Sequence, residues 1–249
     1  MDYRKVTEEY YSSWFGDSQI LADLQAGVHF VYSEERNKTQ YGYSKPFALF
    51  ALYQPGRIII SYGNSLAGKI DKLKEYLNTD TSLDELKEIL ERELNTQINH
   101  NVKYVFDRLP ERLITSRPLQ KAEYSRYLEF FGAANHIAKD RLGWLSEYFQ
   151  GMVRQKLCCG FFVDDVLVSC SDAPGMPYMA NMVQEIGINT LEEYRQKGYA
   201  ADVCICCASE IINNGKCPQW STDINNIASQ KLAERIGFER YFDLLTVTD

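Results

Sequence analysis

The run from residue 183 to residue 241 restricts the fold most, because it packs strand, turn, helix, strand and helix into a short stretch. Residues 183–189 read as a strand, and Arg195-Gln196-Lys197-Gly198-Tyr199-Ala200 as a tight basic turn. A helix of small residues follows to about Ile212, then a strand near Gln219-Trp220-Ser221 and a helix over residues 225–236. Gly198 permits a backbone conformation closed to most residues, or close approach by a ligand. Because the turn opens a helix, the first backbone N–H groups have no intrahelical acceptors. With the helix dipole they form an anion site. Arg195 and Lys197 add positive charge, so the turn suits a pyrophosphate.

The turn lies between a strand and a helix, as a phosphate cradle requires. A second pattern follows: Asn226-x-x-Ser229-x-x-x-Ala233-x-x-x-Gly237-Phe238. With these two patterns the chain resembles the GNAT acyltransferase superfamily. Its members bind acyl-coenzyme A at an Arg/Gln-x-x-Gly-x-Gly/Ala turn, and Arg195, Gly198 and Ala200 stand at the three defining positions. Many members carry a later Asn-x-x-Ala/Ser-x-x-x-Tyr-x-x-x-Gly-Phe helix, matched by Asn226, Ser229, Gly237 and Phe238. Ala233 departs from it, standing where that family often places a tyrosine general acid. The resemblance covers about residue 112 to the end. The N-terminal half, with Pro218-x-Trp220 before the last helix, is also similar to a smaller group that includes zwittermicin A acetyltransferase.

The resemblance implies an α/β (α+β) chain: a GNAT-like mixed, mostly antiparallel sheet flanked by helices over residues 111–249, preceded by an N-terminal α/β domain over residues 1–110. It implies acetyl-CoA as co-substrate and an acetyl transfer to the amine of a small molecule, with no metal. A splayed strand would offer the backbone of Ile188, Asn189 and Thr190 to the pantetheine arm. Arg195, Gln196, Lys197, Gly198, Tyr199 and Ala200 would hold the pyrophosphate. Asn226 and Ser229 would hydrogen-bond the coenzyme, although Asn226 also suits a helix cap.

Acyl transfer to an amine needs a base. Glu185, mid-strand among apolar neighbours, is the first candidate, and its position resembles that of the glutamate many family members use. A strand-edge carboxylate paired with a basic residue is the competing reading. Asp223, beyond the second strand, is the other candidate base or a cap for the last helix. Tyr199 and Tyr241 could replace the missing tyrosine as acid, although a thiolate leaves well without one. The absent tyrosine equally suits a catalytically inactive acyl-CoA-binding sensor or scaffold.

Composition narrows the alternatives. A formal charge of −7 argues against nucleic acid as the main partner. The longest apolar run, residues 47–53, is too short to span a bilayer, and the N-terminus lacks the apolar core of a signal peptide, so a cytoplasmic protein is expected. All seven cysteines lie after Lys156, and Cys204-Ile205-Cys206-Cys207 has the wrong spacing for zinc. Small buried residues packing a helix on a sheet account for them better. His29, His100 and His136 are scattered. There is no Gly-x-Ser-x-Gly elbow, no phosphate-binding Gly-x-x-x-x-Gly-Lys-Ser/Thr loop and no Gly-x-Gly-x-x-Gly fingerprint.

Along the chain, residues 3–26 read as helical with a break at Gly16-Asp17. Residues 28–32 read as a strand and 47–62 as a hairpin about Pro55-Gly56. Residues 65–77 form an amphipathic helix, and Ser82-Leu83-Asp84-Glu85 a capping box opening another. Strands are expected at 102–106 and 113–115, helices at 119–131 and 135–149, and a hairpin about Asp164-Asp165. The N-terminal half would shape an acceptor pocket or a homodimer contact.

Overall fold

The computed structural model describes residues 1–22 and 26–248. In chain order its elements are α1 (Tyr3–Phe15), β1 (Gly27–Tyr32), β2 (Phe47–Gln54), β3 (Arg57–Tyr62), α2 (Ile70–Tyr76), α3 (Leu83–Leu94), β4 (Asn99–Phe106), β5 (Arg117–Pro118), α4 (Tyr124–Asn135), α5 (Leu145–Arg154), β6 (Cys159–Val163), β7 (Val166–Asp172), β8 (Val183–Glu185), β9 (Gly187–Thr190), α6 (Tyr199–Asn213), β10 (Cys217–Asp223), α7 (Ile227–Arg235) and β11 (Phe238–Thr248). Seven strands form one sheet in the order β1-β3-β2-β11-β4-β10-β8, and β5-β6-β7-β9 form a second. Among the described residues only β1–β3 and β10–β8 pair in parallel, so the mixed, mostly antiparallel sheet flanked by helices is present. Strands from both sides of residue 110 share the larger sheet, because β4 sits between β11 and β10. The boundary expected there falls in the loop after β4. Among the described residues no helix is long and apolar enough to cross a membrane.

Residues 47–52 are apolar without alternation because helices cover both faces of their strand. Leu49 and Ala51 of β2, Ile58 and Ile60 of β3 and Leu245 of β11 pack against α2 and α3 through Leu73, Leu86 and Leu90. Phe50, Leu52, Ile59 and Leu244 face the other way, against Tyr10, Tyr11 and Phe15 of α1. The period of two in the strands thus sorts one continuous apolar run between two cores. Cys204, Cys206 and Cys207 of α6 are buried among Val102, Tyr104 and Trp220, packing this helix on the sheet.

The capping box forms as expected: Glu85 N–H donates to Ser82 Oγ at 3.3 Å, and Ser82 N–H donates to a Glu85 carboxylate oxygen at 2.8 Å. Ser82→Ala should lower stability by about 1 kcal/mol, read as a lower urea midpoint with an unchanged slope.

Several local expectations are corrected. Residues 113–115 form no strand. Leu113 is 96% exposed, and the Thr115 and Ser116 N–H groups donate to the buried carboxylate of Asp202 instead of to a neighbouring strand. The helices expected at 119–131 and 135–149 start later, as α4 and α5. Leu119 is a buried core residue ahead of the first, and His136, at φ +54°, ends it. A 3-10 turn, residues 64–69, opens the helix expected at 65–77. The long final strand β11 was not expected at all. α1 ends at Gly16, which takes φ +77°, and residues 23–25 of the expected helical stretch lie outside the described residues.

Candidate active site

The strand expected over residues 183–189 is broken at Ile186. Its first part, β8, pairs with β10 up to Glu185 opposite Gln219, and the last bond runs from Ile186 N–H to the Gln219 carbonyl at 3.2 Å. Its second part, β9, leaves β10 and pairs with β7 of the smaller sheet. β10 continues alone along β4 to Asp223. The two strands therefore diverge after Glu185, and β9, at the edge of its sheet, keeps one row of backbone groups without a strand partner.

A cavity of about 640 Å³ lies at this opening. Ile188, Asn189 and Thr190 of β9 form one wall, and Asn226, Ser229, Leu232 and Arg235 of α7 line another. The turn before α6 and the helix start complete it with Arg195, Gln196, Gly198, Tyr199, Ala200 and Ala201. Gln196 and Gly198 take φ +61° and +88°, which swing the chain into the helix. Gly198 is the N-cap and offers no side-chain cap. The Asp202 N–H reaches the Gly198 carbonyl at 3.2 Å, leaving the N–H groups of Tyr199, Ala200 and Ala201 without intrahelical acceptors. The small side chains of Ala200 and Ala201 leave these donors approachable.

The charges are arranged differently from the simplest reading of the turn. Arg195 braces it, donating from Nε to the Thr190 carbonyl at 3.2 Å. Lys197 does not line the cavity, and its Nζ lies 4.9 Å from the centre of the Tyr194 ring. Two arginines that sequence reasoning missed stand beside the turn. A Cβ built on Gly198 would lie 3.8 Å from Arg112 Nη2 and 4.0 Å from Arg235 Nη2. Neither forms an ion pair among the described residues. Arg235 was detectable, since Asn226, Ser229, Leu232 and Arg235 recur every three residues along one helical face. Asn226 caps α7, its side-chain oxygen accepting from Ser229 N–H at 3.1 Å, and also lines the cavity.

Glu185 opens onto a second cavity, of about 350 Å³, between the larger sheet and α1. Strand register explains its floor. Glu185 lies opposite Gln219, Ser221 opposite Lys103, Lys103 opposite Phe242, and Asn101 opposite Leu244. The polar members of this set project from the face that elsewhere carries Phe50, Leu52 and Leu244, and so interrupt an apolar layer. Tyr10, Tyr11 and Trp14 of α1 roof the cavity, and Tyr41, Tyr43 and Phe47 with residues 174–177 close its side. Glu185 has no ion-pair partner among the described residues. Burial pushes the Lys103 ammonium below its ordinary value, partly offset by the Glu185 carboxylate.

Asp223 lies at the end of β10, accepts from Asn225 N–H at 2.8 Å and lines neither cavity. Ala233, on the inner side of α7, is buried in the core with the residues of α6. Tyr199 stacks on Phe161 with ring centres 4.3 Å apart while lining the larger cavity. Tyr241 lines neither cavity, and its hydroxyl donates to Glu8 at 3.1 Å.

Comparison with known proteins gives a family model, described as GNAT acetyltransferase, that matches residues 63–244. It begins well before residue 112 and takes in α2, α3 and β4. Among solved structures, an acetyltransferase from the GNAT family of Colwellia psychrerythraea is similar at a TM-score of 0.53 and 16% identity, over 65% of this chain and 61% of that one. A candidate acetyltransferase of the same family from Novosphingobium aromaticivorans gives 0.45 and 19%, over 60% and 64%. A candidate acetyltransferase from Salmonella typhimurium, solved with its cofactor acetyl-CoA, gives 0.41 and 16%, over 55% and 94%. The chain thus spans under two thirds of the length of the first two. No curated protein matches it.

Proposed function

Because the chain belongs to the GNAT acetyltransferase family, we propose that it transfers the acetyl group of acetyl-CoA to the amine of a small molecule. One observation carries this reading: β9 parts from β10 between an uncapped helix start, which lines one cavity, and a carboxylate, which lines another. Ile188 and Glu185 lie three residues apart on either side of the Ile186 break, about 10 Å along an extended chain. A ligand whose phosphates sit at α6 and whose arm follows the β9 edge would bring its far end to Glu185.

The residues present fit acetyl-CoA. Tyr199, Ala200 and Ala201 supply backbone donors for the pyrophosphate, Gly198 the turn, and Arg112 and Arg235 the counter-charge. Ile188, Asn189 and Thr190 supply backbone groups for the pantetheine arm. The thioester supplies an activated acetyl group. Glu185 takes one proton from the acceptor's ammonium, and the freed amine attacks the thioester carbonyl. A C–N bond forms and the C–S bond breaks. The sulfur leaves with the bonding pair and gains the second proton released by nitrogen, giving an amide and a free thiol.

Arg235→Ala should weaken acetyl-CoA binding about fivefold, and less at high salt, because an exposed charge beside phosphate contributes about 1 kcal/mol and is screened. Lys197→Ala should weaken it less, since its ammonium is turned onto Tyr194. Calorimetric titrations at two salt concentrations rank the two.

The buried Ala233, which brings no hydroxyl to the site, favours a second reading, an acyl-CoA-binding sensor or scaffold without catalysis. Thiol release from acetyl-CoA across a panel of amines separates the two. Amine-dependent release supports the transferase, and coenzyme binding with no release for any amine supports the scaffold. Pro218 and Trp220 support a place near the group that includes zwittermicin A acetyltransferase. Both are buried, and they flank Gln219, which faces the Glu185 cavity.

A further inference from the structure

We propose that the cavity beneath α1 takes an α-amino acid with an apolar side chain, with Glu185 and Gln219 receiving its ammonium and Lys103 its carboxylate. The assignment of an amine to Glu185 rests on the transferase reading above. The assignment of a carboxylate to Lys103 rests on the cavity itself.

The cavity holds two opposite charges that do not satisfy each other. Glu185 and Lys103 both line it, yet they form no ion pair, and neither has another ion-pair partner among the described residues. Their strands are separated by β10 alone and their partners on it, Gln219 and Ser221, lie two residues apart, so their backbones lie about 12 Å apart. That leaves room for a small ligand between the two side chains. At the Glu185 end, the opposing Gln219 is buried and its Oε1 has no donor. A buried acceptor left unpaired is costly, and an ammonium at this end would satisfy it while pairing with Glu185.

At the other end, the Lys103 ammonium lies 5.6 Å from the centre of the Tyr11 ring. Asn101 and Ser221 flank it on the cavity floor, and both can donate to a carboxylate. The tyrosines do not supply the missing negative charge. Burial first, and the Glu185 charge second, raise the phenols of Tyr10 and Tyr43, and burial raises that of Tyr11. They stay neutral. A ligand carrying both an ammonium and a carboxylate answers both ends at once. A simple polyamine would set a second cation against Lys103, and a dicarboxylate would set an anion against Glu185.

Part of the remaining wall is apolar. Trp14, Phe47 and Phe50 form an aromatic cluster with ring centres 5.0–6.4 Å apart, Trp14 packing edge-on against both phenylalanines. It suits a hydrocarbon or aromatic side chain. The volume of about 350 Å³ lies near the lower end of small-molecule sites, which run from about 300 to 1,000 Å³.

The test compares phenylalanine, leucine and tryptophan, each with its amide and its decarboxylated amine, as acceptors for acetyl-CoA and as ligands in calorimetric titration of the CoA-bound protein. For at least one side chain the free acid should exceed its amide by about tenfold or more in kcat/KM. In Lys103→Met that ratio should collapse towards one. Amides and amines used as well as every acid by the unmodified protein would overturn the proposal, whether or not the variant folds. If nothing is acetylated, the transferase reading fails, and titration then decides this one. Tighter binding of an acid than of its amide upholds the Lys103 assignment, and equal or absent binding overturns it.

Discussion

Glu185→Gln should lower the rate of acetyl transfer by about 10²-fold or more, while acetyl-CoA affinity barely changes. The substitution keeps the size of the side chain and its place opposite Gln219, and removes only the capacity to take a proton. Glu185 lies in the cavity beneath α1, away from the residues that line the larger cavity, so coenzyme contacts are preserved. It has no ion-pair partner among the described residues whose release would destabilise the fold. Steady-state thiol release gives the rate, and titration with acetyl-CoA gives the affinity. Turnover equal to that of the unmodified protein would leave Glu185 a structural carboxylate of the sheet and remove it from the mechanism.

Gly198→Val should weaken acetyl-CoA binding by about 2 kcal/mol or more. Beyond its two chain neighbours, a Cβ at this position meets nothing closer than 3.8 Å, so the cost does not come from a clash with packed side chains. It comes from the backbone. Gly198 takes φ +88°, where a β-branched residue is strained, and this is the residue that turns the chain into α6. Relief of that strain would rotate the peptide groups at the helix start, and with them the N–H donors of Tyr199 and Ala200. Gly198→Ala should fall between valine and the parent. Calorimetry on both variants, with circular dichroism as a check on folding, reads this order. A folded valine variant that binds as the parent does would show that the pyrophosphate sits elsewhere.

The residues that were legible in the sequence are those whose role is decided within a few positions. Gly198 announces a positive φ, and the following Tyr199, Ala200 and Ala201 announce an uncapped helix start, whatever surrounds them. Asp164-Asp165 marks its hairpin by the same local chemistry, with φ +47° and +66°. Glu185 stood out as a charge within a strand.

Lys103, Gln219, Trp14 and Tyr10 did not stand out, because what unites them is the pairing of strands far apart in the chain. Lys103 reaches the same cavity as Glu185 only because β4 and β8 both flank β10. Asp202, in the first turn of α6, is a buried acceptor for Thr115 and Ser116, a long-range contact that no local pattern announces and that takes the place of the strand expected at 113–115. β11 lacks a clear alternation because part of it, like β2, is covered on both faces, and its length follows from pairing with β2 and β4 on either side. Arg112 lies on the loop after β4, with no periodic pattern to place it beside Gly198.

A crystal structure with acetyl-CoA tests the central claim most directly. The account predicts the pyrophosphate on the N–H groups of Tyr199, Ala200 and Ala201, with Arg112 and Arg235 beside it. It predicts the pantetheine arm along Ile188, Asn189 and Thr190, and the thioester at the Ile186 break facing Glu185. A coenzyme whose phosphates lie away from the start of α6, or whose thioester points away from the cavity beneath α1, would contradict it.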